Sequence, residues 1–366
     1  MKIARAIGIA TAALIAGLLA MLAIPIETWR TGELRLSPLA FAPANAAPHA
    51  PRRLWIDTDA ACGYGRRTDP DDCFAIAFLA RAPDLEIVGI STVFGNAPRD
   101  AVDRTTRELA ALLSAEVGRA LPVYSGSSAP LTQDGSARAP AHEALKAALE
   151  QGPLTFLALG PMTNLAAVLG EQPALRSQVA RLVTVMGRRP GHLFHPAEGA
   201  NTGILFGHGP VFRDFNFAMD TRASSQIVAL NLPTSFIPYD AARGIEITAS
   251  DLDRLATSGG ATAWVAKRAR DWQSYWREDI GREGFYPFDL LAAAYVVEPR
   301  QFRCASVQTW VGEDPVRFVS FWRPIALLVS QDDVRIENAL AIGSGLYCAK
   351  PTPSLKPELI NRLARR

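Results

Sequence analysis

Five aspartates gather in one short stretch of this chain, and their spacing suggests metal chemistry. Asp57 and Asp59 follow a short apolar run, and Asp69, Asp71 and Asp72 come after a glycine-containing loop. Carboxylates at close quarters raise one another's pKa, and they stay ionised together only when a cation compensates them. A divalent cation with oxygen ligands, such as Ca²⁺, meets that need. The alternative is an acidic turn whose carboxylates are solvated.

The elements around these acids favour the cation. Residues 54–56 form a predicted buried strand, and Thr68, Asp69 and Pro70 are N-cap and first-turn residues for a predicted helix at 71–81. The acids therefore lie at the carboxyl end of a strand and at the N-terminus of a helix. Anionic groups and ligands are favoured at both places in open α/β sheets.

Strand-like and helical segments alternate through the first half of the chain. Near-continuous apolar runs occur at 54–56, 85–94, 154–159 and 182–186, and amphipathic helices are predicted at 71–81, 99–116, 139–150 and 163–170. This alternation predicts an open, mostly parallel central sheet flanked by helices. Further helices are predicted at 220–231, 249–257, 261–278, 288–297 and 355–365. Strand-like runs at 302–311, 323–330 and 339–346 predict a β-rich C-terminal part.

Polar residues follow several of these strands. Asn96 comes after the second strand, the segment 160–164 after the third and Met186 after the fourth, while Asp289 opens a late helix. The carboxyl ends of parallel strands share one edge, so these residues are expected to line one crevice. Each has a structural alternative: Asn96 as a turn residue, Met186 as core and Asp289 as a helix cap.

Charge and size limit the class of protein. Lysine and arginine number 38 against 36 acidic residues, so the net charge is +2 and no nucleic-acid partner is expected. The 366 residues suffice for a large core, and residues 52–366 are expected to form one catalytic domain.

The N-terminus has the layout of an export signal. Lys2 and Arg5 precede an uncharged apolar run at 6–24, so residues 1–30 are predicted to be a signal peptide or a signal anchor. The Pro- and Ala-rich residues 31–51 are predicted to be a linker. Both readings place the domain in the periplasm or another extracytoplasmic space, and an uncleaved segment would anchor it to the inner membrane.

Export affects the interpretation of the cysteines. The chain has four, and three pairings are open to them. We favour Cys62 with Cys73, which would brace the acidic loop, and Cys304 with Cys348, which would close the C-terminal part. Four free buried thiols are the alternative if the chain is not exported.

Taken together, these segments resemble the inosine-uridine preferring nucleoside hydrolases. The matching pieces, in the family's order, are IDTD with DPDD, EIVGISTVFGN, LALGPMTNLAAVL, VTVMG, the DFN at 214–216 and FDLLAAAYVVEP. Any one of them alone would be weak, whereas the ordered set is specific. The resemblance implies a calcium-dependent N-ribohydrolase on an open α/β sheet. Its partner would be a nucleoside, and homo-oligomers are common in the family.

The resemblance also implies roles for particular residues. The Ca²⁺ ligands would be Asp59, Asp72, Asp289 and the main-chain carbonyl of Thr163. The residues around the ribose would be Asp71, Asn96, Met186, Asp214 and Asn216. Asp57 would anchor the loop. A Ca²⁺-bound water would lose its proton to Asp59 as general base and attack the anomeric carbon, through an oxocarbenium-like transition state.

Three features depart from the family pattern. The segment AACGYGRRTDP is inserted between Asp59 and Asp71, Asp214 stands where Glu is usual, and Phe288 replaces a His that could protonate the departing base. An aromatic residue at position 288 is similar to purine-preferring relatives, so a purine preference is one expectation. Two groups could compensate for the missing His: the aromatic cluster Trp272, Tyr275 and Trp276, which is otherwise core, and the loop histidines His192, His195 and His208.

Two other functions remain open. One is a non-catalytic ribose- or nucleoside-binding protein that keeps the metal pocket. The other is phosphoryl transfer, since a strand that ends in DxD also occurs in haloacid-dehalogenase-like phosphatases. Retention of Asp59 favours catalysis, and the GPMTN segment is foreign to the phosphatases.

Overall fold

The computed structural model describes residues 52–190, 214–314, 324–332, 336 and 338–365, together with Thr11, Ile15 and the pair Ser37–Pro38. The predicted signal segment at 1–30 therefore lies outside the described residues except for two positions. Most of the predicted linker at 31–51 lies outside them as well. Among the described helices, none combines the length and the apolar character that a membrane crossing requires.

Ten strands of the described residues join in one sheet. In chain order they are β1 Ser37–Pro38, β2 Arg52–Thr58, β3 Leu85–Thr92, β4 Val123–Ser125, β5 Leu154–Ala158, β6 Val179–Thr184, β7 Thr234–Phe236, β10 Phe302–Glu313, β11 Ile325–Ser330 and β12 Ala341–Pro351. A separate two-stranded sheet pairs β8 Ile247–Thr248 with β9 Gly284–Phe285.

The order of the large sheet is β1-β10-β12-β7-β6-β5-β2-β3-β4, and β11 pairs with β10. Every neighbouring pair from β12 to β4 is parallel, whereas β10 runs antiparallel to β1, β11 and β12. The predicted parallel sheet and the β-rich C-terminal part are thus both confirmed. They form one continuous sheet, because β12 adds to the parallel part and also pairs with the antiparallel strand β10.

Helices cover both faces of the parallel part. They are α1 Asp71–Ala80, α2 Arg99–Val117, α3 Pro140–Glu150, α4 Thr163–Glu171, α5 Phe215–Met219, α6 Thr221–Ala229, α7 Tyr239–Ala242, α8 Ala249–Thr257, α9 Gly260–Arg268, α10 Arg270–Tyr275, α11 Phe288–Val297 and α12 Leu355–Ala364. Side chains alternate between the faces: Leu54 and Ile56 of β2 join one core cluster, and Trp55 between them joins the other. Burial on both faces explains the near-continuous apolar runs in the sequence.

The sequence prediction differs from the structure at several elements, most of them short. The strands β4 and β7 were not predicted, since three residues are too few to show a periodicity. The single helix expected at 261–278 is instead α9, α10 and a π-helical turn at Trp276–Ile280. The strand β1 lies inside the predicted linker and pairs Ser37 with Cys304.

Two buried helices position the acids. Every residue of α1 is buried, and all but the first residue of α11 are. Small side chains recur in both helices, at Ala75 and Ala77 in one and at Ala292 and Ala293 in the other. The two helices pack against each other. A helix that is apolar on all sides belongs in the interior of a domain. The N-termini of α1 and α11 consequently meet beneath the surface of the molecule.

Both predicted disulfides are present. Cys62 is bonded to Cys73, and Cys304 is bonded to Cys348. The first closes the loop between β2 and α1, in which Gly63 has a positive φ of 81°. The second ties β10 to its neighbour β12.

Candidate active site

Three carboxylates meet where α1 and α11 begin. One oxygen from each of Asp71, Asp72 and Asp289 lies within 4.8 Å of the others. The backbone N–H of Asp289 donates a hydrogen bond of 2.8 Å to Asp71 Oδ2, which ties the two helix ends together. The unsatisfied N–H groups at a helix N-terminus favour negative charge, so both helices stabilise these acids. The Oδ1 atom of Asp289 is buried and has no hydrogen-bond partner among the described residues.

Asp59 lies beside this cluster and is held by Asn96. The backbone N–H of Asn96 donates to Asp59 Oδ2 at 2.9 Å, and its side-chain Nδ2 donates to Asp59 Oδ1 at 3.1 Å. The same Nδ2 lies 3.3 Å from Asp72 Oδ2, so Asn96 bridges the two acids. A Cβ atom at Gly95 would come within 1.8 Å of Asp59 Oδ2. Only glycine therefore allows the chain after β3 to approach Asp59 so closely.

The electrostatics of the cluster favour a bound cation. Burial and the negative charge of Asp72 raise the pKa of Asp59 well above its usual value. Burial and the charges of Asp71 and Asp72 do the same for the pKa of Asp289. Burial and the charge of Asp72 raise the pKa of Asp71 to about 6. Without compensation these groups therefore hold protons at a pH at which free carboxylates are ionised.

A network of buried hydrogen bonds around Asp57 supports the residues of the site. Asp57 is fully buried, and its Oδ1 accepts hydrogen bonds from Ser91 Oγ at 2.5 Å and from Asn164 Nδ2 at 2.7 Å. Asn164 Oδ1 in turn accepts from the backbone N–H of Ser127 at 2.8 Å. Burial raises the pKa of Asp57 to about 7. These bonds join the ends of β2 and β3 to the start of α4, consistent with the predicted anchoring role of Asp57.

A third group of polar residues comes from the segment after β6. Asp214 Oδ2 accepts the backbone N–H of Gly187 at 2.7 Å, and burial raises the pKa of Asp214 to about 6. Asn216 Nδ2 donates to the carbonyl of Leu159 at 2.6 Å and to that of Val185 at 3.2 Å. Asp214 and Asn216 are thus fixed by the backbone around β5 and β6.

One cavity of about 560 Å³ is bordered by Asp59, Asp71, Asn96, Asp214, Asn216 and Asp289. Its polar side carries the carboxylates, Asn96 and Asn216, and an aromatic side is formed by Tyr239, Trp272 and Phe288. The rings of Tyr239 and Phe288 lie 6.3 Å apart, centre to centre. A cavity with one carboxylate wall and one aromatic wall suits a ligand that combines a polar, hydroxyl-bearing part with a flat ring.

The structure gathers most of the sequence-predicted residues at this cavity. Those that line it are Asp59, Asp71, Asn96, Met186, Asp214, Asn216, Phe288 and Asp289. Asp72 lies behind the wall and accepts a hydrogen bond from Thr58 Oγ1. Thr163 is also behind it, and its Oγ1 donates to Asp220 at 2.7 Å. Asp71, to which the family resemblance gave a place beside the ribose, is one of the three acids whose oxygens lie within 4.8 Å of one another.

Of the described candidates for base recognition, only some lie at the cavity. Trp272 reaches the cavity, whereas Tyr275 and Trp276 are completely buried core residues, as the alternative reading had it. His192, His195 and His208 lie outside the described residues.

Sequence reasoning assigned no role to several cavity and support residues. Arg67, from the inserted loop, and Tyr239, at the start of α7, both line the cavity. Asn164 connects Asp57 to the loop before α3. The signal for Asn164 was available in the GPMTN segment. Arg67 and Tyr239 carried none, because only the tertiary fold brings them to the strand ends.

Comparison with known proteins agrees with this geometry. The family model described as inosine-uridine preferring nucleoside hydrolase matches residues 54–337. The pyrimidine-specific ribonucleoside hydrolase RihA of Citrobacter koseri is 25% identical over 269 residues, which are 66% of this chain and 80% of that protein. RihA of Salmonella typhimurium is 23% identical over the same length and the same shares.

Solved structures share the fold. A plant nucleoside hydrolase, PpNRh1, matches with a TM-score of 0.68 and 19% identity, over 86% of this chain and 100% of that one. A purine-preferring ribonucleoside hydrolase from Gardnerella vaginalis matches with a TM-score of 0.63 and 18% identity, over 86% and 98%.

The family match, together with the open α/β sheet and the buried carboxylates at the carboxyl ends of its strands, places the chain among the N-ribohydrolases, enzymes that cleave the bond between ribose and base. Within that class, the family match covers most of the chain. The chain belongs to the inosine-uridine preferring nucleoside hydrolase family.

Proposed function

We propose that this protein is a calcium-dependent hydrolase of ribonucleosides with Asp59 as its general base. The observation that carries the proposal is the group of buried carboxylates, Asp71, Asp72 and Asp289, with oxygens within 4.8 Å of one another beside Asp59. The aromatic side chains that line the same cavity supply a surface for a nucleobase.

The donor set fits a hard cation. All the side-chain ligands offered are carboxylate oxygens, which Ca²⁺ prefers, and Asp289 Oδ1 has no other partner among the described residues. Asp59, Asp72, Asp289 and the main-chain carbonyl of Thr163 would hold the ion, and Asp71, which belongs to the same group of carboxylates, is a further candidate ligand. When bound, Ca²⁺ would keep these carboxylates ionised and lower the pKa of a nearby water.

Asp59 is the acid best placed to take a proton from the attacking water. Both of its oxygens are oriented by Asn96, and it borders the cavity while Asp72 does not. Positive charge develops on the ribose as the glycosidic bond breaks, and the carboxylates of the polar wall stabilise that charge. Asp214 and Asn216, held by the backbone around β5 and β6, would orient the ribose.

The aromatic wall supports a purine preference. Tyr239, Trp272 and Phe288 offer a broad surface in a cavity of about 560 Å³, and a two-ring base covers more of such a surface than a one-ring base. The relatives include both pyrimidine-specific and purine-preferring enzymes by name. The proposed purine preference therefore depends on the aromatic wall of the cavity and not on the names of the relatives.

The test is ribose release from a panel of purine and pyrimidine nucleosides by the full-length chain. We expect activity that a chelator abolishes and added Ca²⁺ restores. Asp59→Asn should lower kcat by about 10²- to 10⁴-fold, the usual contribution of a general base. Asp103→Asn is the matched control, because Asp103 bonds to Thr92 and Ser125 and does not line the cavity.

Two results would contradict the proposal. If nucleosides bind to the wild-type chain in calorimetry and no ribose is released, the protein is a nucleoside-binding protein. If Asp59→Asn keeps full turnover, another group accepts the proton.

We also propose that the protein is exported, with the domain outside the cytoplasm. Lys2 and Arg5 before an apolar run, together with two disulfides, support this proposal. Cell fractionation and N-terminal sequencing of the protein test it. Recovery in the cytoplasm with all four thiols reduced would contradict it.

A further inference from the structure

Arg67 differs in charge from the rest of the cavity wall. It is the one lysine or arginine among the described residues that line the cavity. The lining carboxylates are Asp59, Asp69, Asp71, Asp214 and Asp289. If Arg67 lay near these carboxylates, it would form ion pairs with them. If Arg67 is held elsewhere in the cavity, its charge can act on the bound ligand.

The structure holds Arg67 on the aromatic side. Its guanidinium carbon lies 5.1 Å from the centre of the Tyr275 ring, within the range of a cation–π interaction. The Tyr275 ring lies 5.3 Å from that of Trp272, which forms part of the cavity wall. Among the described residues, no carboxylate forms a salt bridge with Arg67. Its charge is therefore available to a ligand that lies against Trp272.

The loop that carries Arg67 is tied down at both ends and in the middle. The Cys62–Cys73 disulfide closes it, and the neighbouring Arg66 forms salt bridges of 2.7 Å with Glu278 and 2.7 Å with Asp279. Arg66 thus fastens the loop to the turn after α10. Arg67, one residue further, reaches the cavity.

We propose that Arg67 takes up the negative charge that develops on the departing nucleobase. This inference rests on the proposed function and adds a leaving-group residue to it. Phe288, beside the last acid of the cluster, has no proton to give, and the base must still accept the electron pair of the glycosidic bond. A guanidinium group presents five N–H donors and a permanent charge to the acceptor nitrogen and oxygen atoms of a base.

The bond changes balance without an additional reactant. The C1′–N bond breaks, and its electron pair stays on the base nitrogen. The water oxygen bonds to C1′ and gives its proton to Asp59. Arg67 pairs with the base anion but stays protonated, because its pKa is too high for proton transfer. Solvent water protonates the anion, and the proton on Asp59 returns to solvent.

The test compares two leaving groups in the same cavity. Inosine has a poor leaving group, whereas p-nitrophenyl riboside releases a phenolate that is stable as an anion. Arg67→Gln should lower kcat on inosine by on the order of 10²-fold, as the loss of one donor to a developing anion does elsewhere. It should change kcat on p-nitrophenyl riboside by less than about threefold, because that anion needs little stabilisation.

Arg107→Gln is the control. Arg107 donates hydrogen bonds to the carbonyl of Val123 and to Ser125 Oγ and does not line the cavity, so its replacement should leave the ratio of the two rates unchanged. Arg67→Lys, which keeps the charge and loses the fork of donors, should recover part of the loss on inosine.

The outcomes separate this inference from the proposed function. Equal losses on both substrates, or no loss on inosine, would overturn the role of Arg67 while the hydrolase stands. With inosine 5′-phosphate as a third substrate, a loss confined to that substrate would overturn the role of Arg67 in favour of phosphate recognition. Failure of the wild-type chain to hydrolyse either substrate would overturn the proposed function, and this inference with it.

Discussion

Replacing Asp71 with asparagine isolates the repulsion among the buried acids. The two side chains have nearly the same shape, and Asn Oδ1 can still accept the 2.8 Å hydrogen bond from the backbone N–H of Asp289. What changes is the charge. Burial and the charge of Asp72 raise the pKa of Asp71 to about 6, so ionising Asp71 destabilises the metal-free fold.

The direction and the size of the effect follow from this pKa. Since the folded protein binds this proton more tightly than the unfolded chain does, stability is highest below pH 3.8 and is lost as the pH rises through about 6. A rise from 3.8 to about 6 corresponds to on the order of 3 kcal/mol at neutral pH. Asparagine does not ionise and avoids this loss. For 366 residues, the gain would raise Tm by about 4 °C.

Thermal unfolding with and without Ca²⁺ measures the effect. In chelator at neutral pH, Asp71→Asn should melt above the wild type, and the difference should disappear well below pH 3.8, where Asp71 is protonated in both the folded and the unfolded state. In excess Ca²⁺ the order should reverse, because the variant offers one negative charge less to the cation.

Asp220→Asn is the control for this measurement. Asp220 accepts hydrogen bonds from the backbone N–H groups of Leu131 at 2.8 Å and Ala223 at 2.9 Å, and from Thr163 Oγ1 at 2.7 Å. An amide there turns one acceptor into a donor and should cost about 1–3 kcal/mol with or without Ca²⁺. If Asp71→Asn also melts below the wild type in chelator at neutral pH, repulsion does not govern the stability of the cluster.

Two further substitutions test the supports of the fold and the site. Gly95→Ala should abolish ribose release, because its Cβ would lie 1.8 Å from Asp59 Oδ2; Gly118→Ala, whose Cβ meets nothing within 4 Å, should cost about 1 kcal/mol of stability and leave activity intact. Full activity in Gly95→Ala would mean that the loop is free to move away. Removing the Cys304–Cys348 disulfide, which joins residues 44 apart, should lower the free energy of unfolding by about 4 kcal/mol in urea titrations. An unchanged urea midpoint would refute that value.

Sequence periodicity was sufficient for the parallel sheet and most of the helices. The strands buried on both faces are long enough to appear as apolar runs, and α8 and α11 begin and end where the pattern predicts. The three-residue strands β4 and β7 were missed because so short a segment has no readable period. The residues of the 260–280 region share one helical pattern, which the structure divides into α9, α10 and a π-helical turn.

The acids themselves were evident from the sequence. Asp59, Asp71, Asp72 and Asp289 stand next to strand ends and helix starts, and the chemistry of carboxylates at such places predicts a cation. The role of each acid was not evident from the sequence. Whether Asp59 or Asp71 lies nearest the other two depends on how α1 and α11 pack, and sequence spacing does not encode that distance.

The sequence by itself determined the fold class, the family's ordered motifs and the acidic cluster, because these depend on local patterns and residue types. It favoured one pairing of the cysteines but left two others open. The tertiary structure decided which side chains face the cavity. It placed Asp72 and Thr163 behind the wall, left Tyr275 and Trp276 in the core, and brought Arg67 and Tyr239 to the aromatic side. The physical reason is that a side chain's surroundings are set by contacts between segments far apart in the chain, and packing fixes those contacts only when the helices and the sheet come together.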